Sequence, residues 1–400
     1  MDLVSPQPFW LLQNGLLRAY PSLKADVRCE VVVLGGGISG AFVAEALSRA
    51  GMDVVVLDKR DIASGSTSAS TALLQYEIDT HLTDLTKLIG RRDAERAYRV
   101  CHDAIDAIER LVKDVGADCT FQRKPSAYLA VKDSEATTLR EECSARRAAG
   151  IAVDYLTAPE VSARFSFRRP AALISEQAAQ LDAHRFTHAL LARSAENGAR
   201  IFDRTCVEKI EPEKHGVRLQ TDTGFVAQAD HVVFATGYES QDYLPSQVLR
   251  LKSTFALASE PLESFPGWWQ QCLIWETARP YLYLRTTNDG RALVGGADDP
   301  FRNPSRRDRL VEKKTDRLAE RFREMFPEID LTVDHRWAGT FGETKDGLAY
   351  IDSIRQMPRC QFVLGFGGNG ITYSVIAAEI IRDTLKGLTH PDAHLFRFDR

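Results

Sequence analysis

Residues 29–40, Cys-Glu-Val-Val-Val-Leu-Gly-Gly-Gly-Ile-Ser-Gly, constrain this chain of 400 residues more than any other stretch. The apolar run Val31 to Leu34 stops at three glycines. A helical pattern follows, with Phe42, Val43, Ala46, Leu47 and Ala50 on one face. Gly35, Gly37 and Gly40 stand at G-x-G-x-x-G spacing. The first allows a tight turn out of a strand. The second leaves the backbone open to a pyrophosphate, and the third lets the helix lie close on the strand. Free N–H groups at the helix start, with the helix dipole, favour the phosphate charge. A second apolar run, Val54 to Leu57, ends at Asp58, 18 residues past Gly40. A strand-end carboxylate there accepts hydrogen bonds from ribose hydroxyls. The competing reading is an ordinary βαβ unit ending in a solvated aspartate. It is the weaker one, because motif and context agree.

Composition narrows the class. An apolar fraction of 44% and a charged fraction of 26% describe an ordinary soluble globular protein, and 400 residues suggest two or three domains. A net charge of −4 gives no sign of nucleic-acid binding. No run of 18 apolar residues exists, so no membrane span is expected. Asp2 and the lack of Lys or Arg before Arg18 argue against a secretory signal. The seven cysteines are scattered and form no C-x-x-C, which suits a reduced, cytoplasmic setting. The nine histidines are read as giving no metal-ligand spacing, and no metal site is expected.

The rest of the chain follows in two styles. Residues 5–23 carry Phe9, Trp10, Leu11, Leu12, Leu16 and Leu17, an arm expected to lie on the body. Residues 65–72 read as a small polar loop bordering the crevice. Residues 91–115, 134–149 and 184–197 read as helices, and residues 126–131 as a strand. Strands are expected near 200–211 and 217–221. Residues 229–237 form a buried parallel strand ending at Ala235, Thr236 and Gly237. Residues 272–276, 281–285 and 291–294 read instead as a meander with a hairpin at 288–290, which argues for an inserted second domain. A charged helix over 305–326 and strands over 332–351 follow. Residues 362–364 then form a strand, followed by the glycine-rich 365–370 and a helix over 371–385.

The glycine-rich turn, Asp58, Gly65-Ser66-Thr67-Ser68, Ala235-Thr236-Gly237 and Gly365 to Thr372 come in order across the whole chain. This set resembles the D-amino acid oxidase superfamily of FAD-dependent oxidoreductases. That group includes glycine oxidase, sarcosine oxidase and γ-glutamylputrescine oxidase, the last nearest in style. With the change of pattern, the resemblance implies a mixed α/β fold. A Rossmann-like FAD-binding domain would comprise 1–85, 145–240 and 335–400, and an inserted antiparallel-sheet substrate domain 86–144 and 241–334. FAD contacts are implied for Gly35, Gly37, Ile38, Ser39, Gly40, Asp58, Lys59, Ser66, Thr67, Ser70, Thr71, Val207, Ala235, Thr236 and Gly237. They are also implied for Gly367, Gly368, Asn369, Gly370, Ile371 and Thr372, whose N–H groups would face negative charge on the flavin pyrimidine ring. The implied reaction is oxidation of a neutral amine's C–N bond by hydride transfer to flavin N5. Imine hydrolysis and reoxidation by oxygen or another acceptor would follow.

Two departures matter. Phe341 stands where the glycine-oxidase segment carries an arginine for the substrate carboxylate. Gly339 stands where sarcosine oxidases carry the cysteine that bonds flavin. Non-covalent FAD is therefore expected, with a small-molecule primary or secondary amine as substrate. Tyr281, Tyr283 and Arg285 alternate on one strand and share a face. The resemblance to polyamine-type oxidases puts this strand near the substrate, so these three and Phe341 are the candidate catalytic residues. A half-exposed strand with a surface arginine fits the alternation equally well. Aimed inward, Arg285 would be a relocated carboxylate clamp. An amino-acid or 2-hydroxyacid dehydrogenase is a second reading, weakened by the lack of histidine in the motif segments. A flavoprotein subunit without its own activity is a third. The sequence leaves the oligomeric state open.

Overall fold

The computed structural model describes residues 2–400. Aliphatic side chains make Val27–Leu34 and Val54–Leu57 adjacent parallel strands, with Val31 to Leu34 opposite Val54 to Leu57. Alternation sends their side chains to two cores. Val31, Val33, Val54 and Val56 join a core shared with the helices Ile38–Arg49, Arg91–Val115, Ala183–Glu196 and Gly370–Leu385. Val32, Leu34, Val55 and Leu57 join Phe234, Phe341 and Phe362 on the other face. Burial on both faces is why these strands read as unbroken apolar runs.

The first sheet has eight strands. From one edge they run Val207–Glu213, Gly216–Thr221, Val226–Phe234, Val27–Leu34, Val54–Leu57 and Arg200–Phe202. Met357–Leu364 lies parallel to the last residues of Val226–Phe234, and Tyr350–Ile354 pairs antiparallel with it. The second sheet also has eight, ordered Val333–Glu343, Arg250–Ser259, Ala292–Pro300, Leu282–Thr286, Leu273–Glu276, Ser126–Leu129, Ala171–Ser175 and Asp154–Thr157. A small antiparallel sheet of Leu73–Gln75, Ala178–Gln180 and Gln122–Arg123 makes a third.

The mixed α/β class is as read from the sequence, with four differences in detail. The second sheet is not wholly antiparallel. Leu273–Glu276 runs parallel to Ser126–Leu129, because these neighbours come from distant parts of the chain and no hairpin joins them. Sheet membership also cuts across the expected segment bounds. Asp154–Thr157, Ala171–Ser175 and all of Val333–Glu343 belong to the second sheet, whereas Arg91–Val115 buries its stripe in the first core. Periodicity shows that an element has a buried face, not which sheet that face covers. The expected strand over 200–211 breaks at Asp203 to Cys206, where the arm is stitched on. Asp203 accepts from the Tyr20 N–H and Thr205 Oγ1 from the Leu23 N–H. Lastly, the helix expected over 305–326 is two, Pro304–Arg309 and Val311–Met325.

The arm itself is only half buried. Phe9 and Trp10 of the helix Phe9–Asn14 are core, with Phe9 stacked 5.5 Å from Trp337, while Leu12, Leu16 and Leu17 are exposed. Among the described residues, no helix is long and apolar enough to cross a membrane.

Candidate active site

The carboxyl ends of the parallel strands open into a long crevice between the two sheets. The turn at 35–40 shapes its floor. Gly35 has φ +103°, and a Cβ there would collide with the Ala235 carbonyl. A Cβ at Gly40 would collide with Gly35 O, so that glycine sets the close approach of helix and strand from outside the lining. Around Gly37 only Thr67 Oγ1 comes near, at 3.0 Å from a Cβ built there. The Ile38 N–H donates to Thr67 Oγ1 at 2.9 Å, and the helix start has no side-chain cap. Asp58 holds the far side of the turn: Oδ2 accepts from the Gly36 N–H at 2.6 Å and Oδ1 from the Arg60 N–H at 2.8 Å. Burial pushes its carboxyl above the usual range, and these two bonds oppose that shift. Lys59 Nζ pairs with Glu239 at 2.8 Å.

Ser39, Ser66, Thr67, Ser70, Thr71, Val207, Ala235, Thr236 and Gly237 line the same crevice. The loop expected at 65–72 contains a single helical turn, Ser66–Ala69, and Ser66 Oγ is buried without a partner. At the far end stand Gly367 to Ile371, Phe341, Tyr281 and Tyr283. Thr372 lies outside the lining, its hydroxyl donating to the Gln75 carbonyl at 3.0 Å.

The C-terminal glycine loop departs from expectation. Three of its N–H groups are already committed: Gly367 to Gly342 O, Gly368 to Asp79 Oδ2 at 3.2 Å, and Asn369 to Phe366 O. The donors left to face an anion are those at the uncapped head of Gly370–Leu385. Asp79 has taken a place that a ligand was expected to fill.

Tyr281 and Tyr283 lie with ring centroids 5.8 Å apart. Tyr283 lies against Gly295, where a Cβ would strike its ring, and its hydroxyl sits 3.1 Å from Thr254 Oγ1. Trp275 stacks on Tyr128 at 3.7 Å, and its Nε1 has no partner. Arg285 does not join them. It is 1% exposed, and its Nη1 donates to the carbonyls of Ala72 and Leu181, each at 2.9 Å. Its guanidinium lies 5.6 Å from the Trp10 ring. Burial pulls it down to about 10, so it stays charged at neutral pH. The relocated clamp is therefore corrected: the N-terminal helix covers that end of the strand and turns the position into core.

Sequence reasoning missed Gln75, Glu77 and Asp79, which line the crevice at alternate positions while Tyr76 and Ile78 enter the core. The polar–apolar alternation of 75–79 was the available signal. Glu77 is 4% exposed; its Oε1 lies 3.9 Å from Arg146 Nη1, and its Oε2 has no partner. Burial raises both carboxyls, most strongly opposed by Arg146 at Glu77 and by the Gly368 N–H at Asp79. Among the described residues, Asp79 makes no ion pair, and the only basic side chains in the lining are Lys59 and Arg60, beside Glu239.

The histidine reading also needs correction. His184 and His188 stand one helical turn apart with ring centroids 4.8 Å apart, both buried. No group of three His, Cys, Asp or Glu poised for a metal occurs among the described residues. Among the described residues, no histidine lines the crevice, and the one cysteine that does, Cys206, lies near Asp58.

Comparison with known proteins gives one consistent result. A family model described as FAD dependent oxidoreductase, DAO, matches residues 30–384. The chain is 24% identical over 387 residues to the gamma-glutamylputrescine oxidoreductase of Escherichia coli (strain K12), covering 92% of this chain and 86% of that one. It is 26% identical over 368 residues to a glycine oxidase of Bacillus licheniformis, covering 90% and 94%. The crystal structure of L-proline dehydrogenase from P. horikoshii superposes with a TM-score of 0.79 at 20% identity, over 94% of this chain and 99% of that one.

Proposed function

Because the chain belongs to the DAO family of FAD-dependent oxidoreductases, we propose that it oxidises the C–N bond of a primary or secondary amine lacking an α-carboxylate. It is an FAD-dependent enzyme of a family whose relatives act on amines or amino acids. The crevice fits the cofactor. The open face of Gly37 and the uncapped head of Ile38–Arg49 suit a pyrophosphate, and Asp58 suits a ribose. The orphaned Ser66 Oγ would gain a partner, and the head of Gly370–Leu385 would meet the flavin pyrimidine edge. Gly339 lines the crevice and Cys206 lies at the Asp58 end, so no cysteine is set to bond the flavin. Acid precipitation should leave all the yellow colour in the supernatant. Colour in the pellet would refute a non-covalent site.

When bound, FAD accepts a hydride from the carbon beside the amine nitrogen. The chain's own residues decide which molecule presents that carbon. One observation carries the amine reading: the substrate end is lined by Glu77, Asp79 and aromatic rings, with no lysine or arginine among the described residues of that lining. A buried substrate carboxylate needs a bidentate cation, which arginine supplies best. Left unpaired beside two acids it would cost several kcal/mol, with every ~1.4 kcal/mol worth tenfold in affinity. Tyr281, Tyr283 and Phe341 offer apolar walls that exclude water and ring faces that attract a cationic amine. A 2-hydroxyacid would need the same cation. The test is steady-state turnover of putrescine-like and N-alkyl amines against glycine, sarcosine and D-alanine. Amines should be turned over with the higher kcat/KM. Efficient turnover of the small amino acids would overturn the proposal.

A further inference from the structure

We infer that the substrate carries a second, cationic nitrogen, and that Asp79, with Glu77 beside it, holds this ammonium while a neutral amine elsewhere in the same molecule is oxidised. The substrate class is a diamine or longer polyamine with an unmodified terminal amine. This inference rests on the amine reading above and narrows it.

The charges at this end do not balance. Arg146 is the cation nearest to Glu77, but its Nε is bound 2.8 Å from Glu142, it reaches Glu77 only at 3.9 Å, and it is fully buried outside the lining. Arg279 is exposed, bonds the carbonyls of Glu276 and Ala278, and lies over the Tyr281 ring at 4.9 Å, without an ion pair to Asp79. Asp79 thus receives one backbone N–H and no ion pair, with Arg279 and Lys252 acting on it only from a distance, and Glu77 Oε2 receives nothing. Carboxylates in this state, buried at Glu77 and half-buried at Asp79, are unfavourable unless something pairs with them. An ammonium brings three donors and the missing charge.

That ammonium is not the reacting nitrogen. A hydride leaves the adjacent carbon only when the nitrogen lone pair is free to form the imine. A carboxylate gripping the reacting nitrogen would keep it protonated and unreactive. The acids therefore serve a different nitrogen. The aromatic surroundings agree: Asp79 Oδ1 and the Tyr281 hydroxyl flank Gly368, at 3.7 and 3.3 Å from a Cβ built there, and Trp275 lines the same end. A carboxylate among ring faces is a chemistry that selects ammonium groups.

The test compares 1,4-diaminobutane with n-butylamine, in the FAD-loaded wild type and in Asp79→Asn, which keeps an oxygen for the Gly368 N–H. Glu77→Gln is a second variant, and flavin content and Tm report on folding. The wild type should favour the diamine by about 30-fold or more in kcat/KM, as expected for one buried charge pair. Asp79→Asn should raise KM for the diamine by a similar factor and so cut the ratio of diamine to butylamine kcat/KM, with the loss for the diamine falling on KM and not on kcat. Binding of tetramethylammonium, which has no lone pair to react, should perturb the flavin absorbance of the wild type and weaken in Asp79→Asn. Equal use of monoamine and diamine by the wild type would overturn the second-nitrogen inference and leave the amine reading intact. An equal loss of kcat for both amines in Asp79→Asn would overturn it too, by placing Asp79 at the reacting nitrogen. If no amine reduces the flavin, both readings fail together.

Discussion

Arg285 shows how one side chain separates two accounts of the same strand. Its Nη1 satisfies two buried carbonyls, those of Ala72 and Leu181. Arg285→Met removes both bonds, and an orphaned buried acceptor costs about 1–3 kcal/mol. Thermal melts of this variant should show a clear fall in Tm, while the preference for amines over amino acids is unchanged. An unaltered Tm with a changed substrate preference would return Arg285 to the crevice. At this scale the sequence was readable where a residue type has a single use. Gly35 needs positive φ, Gly40 needs the absence of Cβ, and Phe341 cannot pair with a carboxylate. It was less readable at Glu77 and Asp79. Their alternation with Tyr76 and Ile78 marks a segment with two faces, but nothing local says that the polar face borders a cavity and not solvent.

Among the elements, Ala183–Glu196 carries a liability of its own. His184 and His188 are buried on it, and burial holds both imidazoles down at about 4, against an ordinary 6.5. Between those values the unfolded chain binds protons that the folded chain refuses. The stability tied to this pair is present above about 6.5 and is lost as the pH falls toward 4. Melts taken from about pH 7.5 down to about pH 4.5 should show Tm falling with pH. The fall should be shallower in the double variant His184→Gln, His188→Gln. Raised carboxyls such as Asp58 and Asp298 act in the opposite sense, so the difference between the two slopes isolates the pair. Parallel slopes would show that the imidazoles are not what acid attacks. Elements with a strong period were legible: Arg91–Val115 has the bounds its stripe indicates. Arg250–Ser259 was missed, although it is ten residues long and lies inside the second sheet, next to its edge strand. Ser253 and Thr254 stand in its middle and both its neighbours pair along it, so burial, not alternation, defines it.

Across the whole molecule, the two sheets meet over the crevice, and each supplies one end of the chemistry. The first sheet brings the glycine turn, Asp58 and Thr236; the second brings Tyr281, Tyr283 and Phe341. Ordered motifs carried the family and the nucleotide half, because phosphate and ribose demand particular backbone shapes at particular spacings. The substrate half depends on strands that are distant in sequence and adjacent only in the sheet, such as Ser126–Leu129 beside Leu273–Glu276, so its members could not be read off one by one. The central claim is that this crevice presents an amine, and not a carboxylate-bearing acid, to FAD. Anaerobic mixing of the purified yellow enzyme with single compounds, followed by flavin absorbance, tests it most directly. The account predicts bleaching by putrescine-like and N-alkyl amines, with the colour kept in 2-hydroxyacids, glycine and sarcosine. Bleaching by a 2-hydroxyacid, or by the amino acids in preference to the amines, would contradict it.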